Sequence, residues 1–210
     1  MHSIVHNLLS ISSVCVCNET IQSSTHVKNI GVIFDSCISM EQHITEICKS
    51  ALCHLRNIGK IRKYLSQNSA IILVHTFITS KLDFCNSLFY GLPKQLTQKL
   101  QSAQNAEARL VVLSNRYDHI TLILRELHWL HIKQRIIFKI ILLIFKSTHG
   151  LAPVYLEELL KPYVPKRQLR ASTKNFLSIE PYKLRTYGFR AFSISAPILW
   201  NSLPEEIRTK

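Results

Sequence analysis

The sequence is short of glycine, proline and negative charge. Only 5 glycines and 7 prolines occur among 210 residues, too few for a fibrous or disordered chain. The hydrophobic fraction of 47% can fill a core, and the length suits one domain, or a large and a small one. The sequence has 13 acidic residues and 26 lysines and arginines, which gives a net charge of +13. This imbalance indicates a polyanionic partner, with nucleic acid as the first candidate and an anionic membrane surface as the second. The alternative is a basic surface that only keeps the protein soluble.

Long hydrophobic runs are also missing. The longest apolar stretch, residues 136–145, contains Lys139 and is half the roughly 20 residues that a membrane-spanning helix needs. The N-terminus shows no charged leader followed by an apolar stretch and a cleavage site. We therefore expect an intracellular protein, cytoplasmic or nuclear, that is neither secreted nor inserted in a membrane.

Cysteine is absent after Cys85, so a disulfide framework across the chain is not expected. Free, partly buried thiols in a reducing compartment fit the sequence better. Cys48, Cys53 and His54 invite comparison with a metal site, but a structural zinc uses four ligands in tight pairs. The sequence predicts helix positions here, and no metal or cofactor site.

Signals for catalysis are weak. Histidines are scattered, and no motif frames a nucleophile with a base, so we predict no catalytic residue. Asp35, Asp83 and Asp118 are isolated acids, each expected to be a helix cap or a surface residue. Trp129 and Trp200 are expected to anchor the core, because large aromatic side chains dominate burial.

Hydrophobic periodicity predicts a mainly α-helical protein with a short N-terminal β-hairpin or ribbon over residues 14–35. The predicted helices cover residues 40–63, 67–78, 94–113, 118–127, 131–148, 153–160 and 188–200. Ser39 and Ser66 are expected N-caps, and Asp118 is expected to cap the fourth helix. The helix over 131–148 is apolar on nearly every side, which predicts a central position.

Two strings of residues are unusual in their order and spacing. The first is SKLDFCNSLFYGLP over residues 80–93, and the second is YGFRAF over 187–192, followed by APILWNSLP over 196–204. NIGVIFDS over 29–36, HWL over 128–130 and KSTHGLAP over 146–153 accompany them. As a set, covering roughly residues 14–208, they resemble the reverse transcriptase polyprotein of LINE-type (non-LTR), jockey-like retrotransposons.

The resemblance implies RNA-directed DNA polymerisation by the intact family enzyme. That enzyme uses a Tyr/Phe-x-Asp-Asp box and a third carboxylate to hold two Mg²⁺ ions, which clamp the attacking and leaving oxygens. No Asp-Asp pair occurs in this sequence. We therefore expect a post-palm portion of the polyprotein that does not polymerise DNA alone. Residues 1–38 would be the end of the palm, 39–160 a helical thumb-like bundle, and 161–210 a basic, proline-interrupted C-terminal segment.

Basic residues cluster in two places. Residues 161–190 hold eight lysines and arginines against Glu180 alone, a net charge of +7, with aromatic residues between them. Basic groups neutralise phosphates, and aromatic faces stack on unpaired bases. A second cluster, Lys60 to Tyr64, ends the first helix. The candidate nucleic-acid-binding residues are Lys60, Arg62, Lys63, Lys166, Arg167, Arg170, Lys174, Lys183, Arg185 and Arg190.

The sequence therefore predicts binding to the backbone of RNA or DNA, and possible association with the missing palm portion of the parent polyprotein. The alternative for both clusters is a solvated basic surface with its aromatic residues packed inward. Two other functions stay open: a decayed element copy without selected function, and a host-recruited helical module that binds another protein.

Overall fold

The computed structural model describes residues 13–17, 19–165, 175–184 and 186–208. They form a mainly helical protein with short antiparallel β-hairpins near the N-terminus, which confirms the predicted fold class. The chain divides into two compact units, Met1–His43 and Ile44–Lys210. Within the described ranges, no helix combines the length and the apolar character required to cross a membrane.

The first unit holds two hairpins where the sequence predicted one ribbon. Strand β1 (Ser13–Val16) pairs with β2 (Glu19–Gln22), and β3 (His26–Asn29) pairs with β4 (Val32–Asp35). Ile30 and Gly31 both have positive φ between β3 and β4, as the tightest two-residue hairpin turns require. The polar residues 23–25 separate the two sheets. Within this segment the Ser24 hydroxyl makes local hydrogen bonds with the backbone of His26, which favours a turn over a continued strand.

Asp35 closes the turn that follows β4. Its carboxylate accepts hydrogen bonds from the backbone N–H groups of Cys37, Ser39 and Met40 at 2.8–3.1 Å. Desolvation raises the pKa of Asp35, but these hydrogen bonds outweigh it and hold the pKa below its usual value. Asp35 therefore stabilises the turn that precedes the first helix, and it does not cap that helix itself.

Helices make up most of the second unit, and α1 (Glu41–Ile61) leads into it. A short 3₁₀ turn, Arg62–Tyr64, extends α1. The next helices are α2 (Gln67–Val74), a π-helical turn (His75–Thr79), α3 (Ser80–Asp83), a 3₁₀ turn (Asn86–Phe89), α4 (Lys94–Val112), α5 (Ile120–Glu126), α6 (Ile132–Thr148), α7 (Val154–Glu157), α8 (Phe192–Asn201) and α9 (Glu205–Arg208).

Helix α6 occupies the centre that its composition predicts. Ile132, Ile136, Ile140 and Ile144 recur at four-residue steps and are all buried. The helix contacts α4, α7, α8 and the 3₁₀ turn at Asn86–Phe89. It therefore connects the two strings of sequence that lie on either side of it along the chain.

Two predicted caps have different outcomes. The Ser66 hydroxyl accepts a hydrogen bond from the Ser69 N–H at 3.1 Å, so the predicted N-cap of α2 is confirmed. The Asp118 cap is wrong, because its carboxylate accepts from the Asn115 N–H at 2.7 Å and closes the preceding turn. Helix α5 starts two residues later, and its N-cap residue makes no side-chain capping bond.

The C-terminal region is tied together by polar contacts to backbone. Trp200 is buried, and its indole N–H donates to the carbonyl of Asn175 at 2.8 Å. The Asn201 side chain exchanges two hydrogen bonds with the backbone of Leu177, at 2.8 and 2.9 Å. Helix α8 packs against α6, so these described residues belong to the same compact unit as the other helices of 44–210.

Candidate nucleic-acid interface

Helix α1 and the 3₁₀ turn that extends it carry a row of exposed cations, here called the α1 stripe: Lys49, Arg56, Lys60 and Lys63. Lys49 and Arg56 are two helical turns apart, and Lys60 follows Arg56 by one turn, so these side chains share a face. Lys49 pairs with Glu46 at 2.9 Å. Residues 47–82 contain no acidic residue, so nearby chain offsets little of this positive charge.

Two of these positions, Lys60 and Lys63, are among the predicted binding residues, and the structure places both on the surface. The Lys63 ammonium lies 4.8 Å from the centre of the Tyr64 ring, which is 77% exposed. An exposed ring beside a cation offers a nucleic acid both stacking and charge. Sequence reasoning missed Lys49 and Arg56, although Lys49, Arg56 and Lys63 recur at seven-residue steps in the sequence.

Arg62 is not available to a phosphate, which corrects its prediction as a binding residue. It is 6% exposed, and its guanidinium donates to the carbonyls of Leu110, Val111 and Leu65 at 2.6–3.0 Å. Leu110 and Val111 lie in the last turn of α4, where carbonyls lack helical partners. Arg62 therefore caps α4 and links it to the end of α1.

Two of the predicted C-terminal binding residues, Lys183 and Arg190, lie within the part of the chain that the structure describes. Lys166, Arg167, Arg170, Lys174 and Arg185 lie outside the described residues. Lys183 is exposed, as the prediction requires. Arg190 is half-buried and donates to the carbonyl of Leu88 at 3.3 Å, so its guanidinium contributes to packing.

Some aromatic residues of this segment pack against protein, whereas Tyr163 and Tyr187 are 47% and 45% exposed. Phe189 stacks on Tyr90, with ring centres 5.5 Å apart, and lies 6.1 Å from the ring of Tyr182. The guanidinium of Arg208 covers the ring of Phe176 at 4.0 Å. These contacts favour the inward-packed alternative over base stacking for Phe176 and Phe189, while Tyr182 stays 42% exposed.

The two unusual strings meet at this point. Gly91, from the first string, has φ +71°, and a Cβ at this position would lie 2.8 Å from Cγ of Arg190, from the second string. Both the backbone angle and the close approach require a residue without a side chain. Packing between residues 89–91 and 188–190 thus gives a physical reason for these strings to occur together.

A buried polar cluster beneath α6 was not predicted. Glu107 on α4 is fully buried, and its carboxyl accepts a hydrogen bond from the Thr79 hydroxyl at 3.2 Å. Desolvation raises the pKa of Glu107 to about 8, so the carboxyl is mostly protonated at neutral pH. Nearby, Asp83 accepts from Asn86 and forms an ion pair with Arg135. Asp83 keeps 37% of its side chain exposed, which agrees with its expected surface position, but the ion pair with Arg135 was not predicted.

The periodicity of α4 in the sequence places either Ala106 or Glu107 on its apolar face, and in the structure Glu107 is the buried one. The Asp83–Arg135 pair joins residues far apart in the chain and leaves no such pattern. Within the described part of the chain, no group of three or more His, Cys, Asp or Glu residues is placed to hold a metal ion.

Comparison with known proteins adds no assignment: no protein-family model, curated protein or solved structure matches this chain significantly.

Proposed function

We propose that this chain binds the phosphate backbone of RNA or DNA with little sequence preference, as the post-palm part of a LINE-type reverse transcriptase. The α1 stripe is the observation that carries the binding proposal. From Lys49 to Lys60 it extends about 17 Å along the helix, comparable to about five base steps of duplex. Lysine and arginine at a surface contact phosphates without reading bases, which fits binding that tolerates any sequence.

The same proposal assigns no polymerase activity to these 210 residues. Two-metal phosphoryl transfer needs carboxylates that lie close together, and the sequence has no Asp-Asp pair. We expect no nucleotide incorporation when the purified chain is given template, primer and Mg²⁺. Incorporation above a no-enzyme control would contradict this part of the proposal.

Fluorescence anisotropy of a labelled duplex tests the binding. If about six phosphates are neutralised, log affinity should fall against log salt with a slope of roughly −5. Replacing Arg56, Lys60 and Lys63 by glutamine should make the slope shallower by about one for each phosphate that the variant no longer neutralises.

The matched control removes the same three charges elsewhere, through Arg116→Gln, Arg125→Gln and Lys146→Gln. These three residues are exposed and lie outside α1. The control should bind more tightly, and with a steeper salt slope, than the α1 variant. Equal slopes for the two triple variants would remove the α1 stripe as the interface, and a salt-independent affinity would rule out backbone binding altogether.

A further inference from the structure

A cavity of about 390 Å³ lies between the π-helical turn and the N-terminal half of α6. Its size is within the range of small-ligand sites. His75, Asn86, Trp129, Arg135, Phe138 and Lys139 contribute to its walls. The cavity thus combines aromatic, cationic and amide groups in one place, away from the α1 stripe in the sequence.

Asn86 is a nearly buried polar residue of this wall. The residue is 4% exposed, and its side-chain amide donates to Oδ1 of Asp83 at 3.2 Å, which fixes which end of the amide is nitrogen. Among the described residues, no donor reaches its buried Oδ1. This oxygen is closed off from solvent, so the unsatisfied acceptor belongs to the protein interior and is not offered to the cavity.

The charges around the cavity favour an anionic ligand. Arg135 neutralises Asp83 through two hydrogen bonds, so that carboxylate presents little net charge. Burial, aided by nearby Arg135, lowers the pKa of His75, which leaves that ring neutral at physiological pH. Lys139 is exposed at the wall and remains as the positive group that can contact a phosphate.

Aromatic surface is present on the same walls. Trp129 is half-buried, with its ring 5.1 Å from that of His75, and Phe138 is 58% exposed. His128 also lines the cavity with a φ of +55°, and Cys85, directly before Asn86, has a φ of +52°. These left-handed conformations place both residues in the turns that border the cavity.

We propose that this cavity binds one nucleotide unit. The base lies against Trp129 and Phe138, and the phosphate contacts Lys139. The unit could be a free mononucleotide or an unpaired residue of a bound strand. The second case rests on the proposed function, whereas the first does not, so the experiment separates them.

The first measurement titrates AMP and follows the two indole N–H resonances by NMR. The signal of Trp129 should shift, while that of Trp200, which is bonded to Asn175, should stay in place and serve as an internal reference. Ribose 5-phosphate, which has no base, should leave the Trp129 signal unmoved at the same concentration. Phe138→Ala should weaken AMP binding about tenfold, the effect of removing one stacking ring.

The second measurement uses a short single-stranded RNA with one 2-aminopurine, whose fluorescence is quenched when the base stacks. Quenching should disappear in Phe138→Ala and persist in Tyr117→Ala, which removes a ring that is 92% exposed elsewhere. Lys139→Ala should weaken binding more than Lys146→Ala, which removes the same charge from the same helix outside the cavity.

The outcomes separate the two proposals. If RNA binds with the expected salt dependence but AMP leaves Trp129 unmoved and quenching is insensitive to Phe138, the cavity proposal is overturned and the proposed function stands. If AMP shifts Trp129 and depends on Phe138 while no RNA binds, the cavity is a free-nucleotide site and the proposed function falls. If neither ligand binds, both proposals are overturned.

Discussion

Replacing Arg62 by alanine should destabilise the fold although the residue belongs to a basic cluster that looks like surface. The change removes charge-assisted hydrogen bonds to the carbonyls of Leu65, Leu110 and Val111. Bonds to a charged group contribute about 1.5–3 kcal/mol each, but water can enter the vacated space and satisfy part of the loss. We therefore expect the free energy of unfolding to fall by about 2–4 kcal/mol, a large share of a typical domain's stability.

Urea denaturation followed by far-UV circular dichroism measures this decrease. Lys60→Ala and Lys63→Ala are matched controls from the same basic cluster, and each should change stability by less than about 0.5 kcal/mol because the side chains are exposed. Arg62→Lys keeps the charge, but an ammonium lacks the planar fork that reaches three carbonyls, so it should recover little. An Arg62→Ala variant as stable as the wild type would refute the capping role.

Three further variants test other features. Glu107→Gln should remove a pH dependence of the free energy of unfolding. The folded pKa of about 8 lies above the usual 4.5, so the wild type loses up to roughly 1.4 kcal/mol of stability per pH unit as pH rises between these values. A stability difference between the two proteins that does not change with pH would refute this. Gly91→Ala should unfold at a lower urea concentration than Gly150→Ala. Both glycines have positive φ, but only at Gly91 would a new Cβ meet the side chain of Arg190. Equal urea midpoints for the two variants would contradict the packing argument. Asp35→Ala should destabilise the fold by about 1–2 kcal/mol above pH 5. The loss should be smaller at acidic pH, where the wild-type carboxylate, whose pKa is lowered in the fold, becomes protonated and its hydrogen bonds weaken. A difference in melting temperature that is the same at neutral and acidic pH would count against this.

Local signals were enough to predict most of the helical architecture. The buried residues of α4 and α6 recur at the three- and four-residue steps seen in the sequence, and Ser66 caps α2 as expected. These features depend on neighbours within one or two helical turns, so a linear pattern contains them. The Asp118 cap failed because the same side chain can close a turn with Asn115 instead, and both options look alike in sequence.

The candidate site was less predictable because charge alone does not tell whether a cation is exposed. Lys60, Arg62 and Lys63 are near neighbours in one basic cluster, yet Arg62 is turned inward to α4 and the two lysines face solvent. The long apolar stem and planar head of arginine allow such burial when carbonyls are at hand. Only the position of α4, nearly fifty residues along the chain, decides which role applies.

The sequence by itself determined the helical class, the approximate limits of the helices, the strong positive charge and the absence of an Asp-Asp pair, because composition and short-range periodicity express them directly. The tertiary structure decided that Arg62 is a cap, that Asp83 is paired with Arg135, that Glu107 is buried, and that Asn86 and Phe138 share a cavity. Each of these depends on residues that are distant in the chain and become neighbours only when the helices pack.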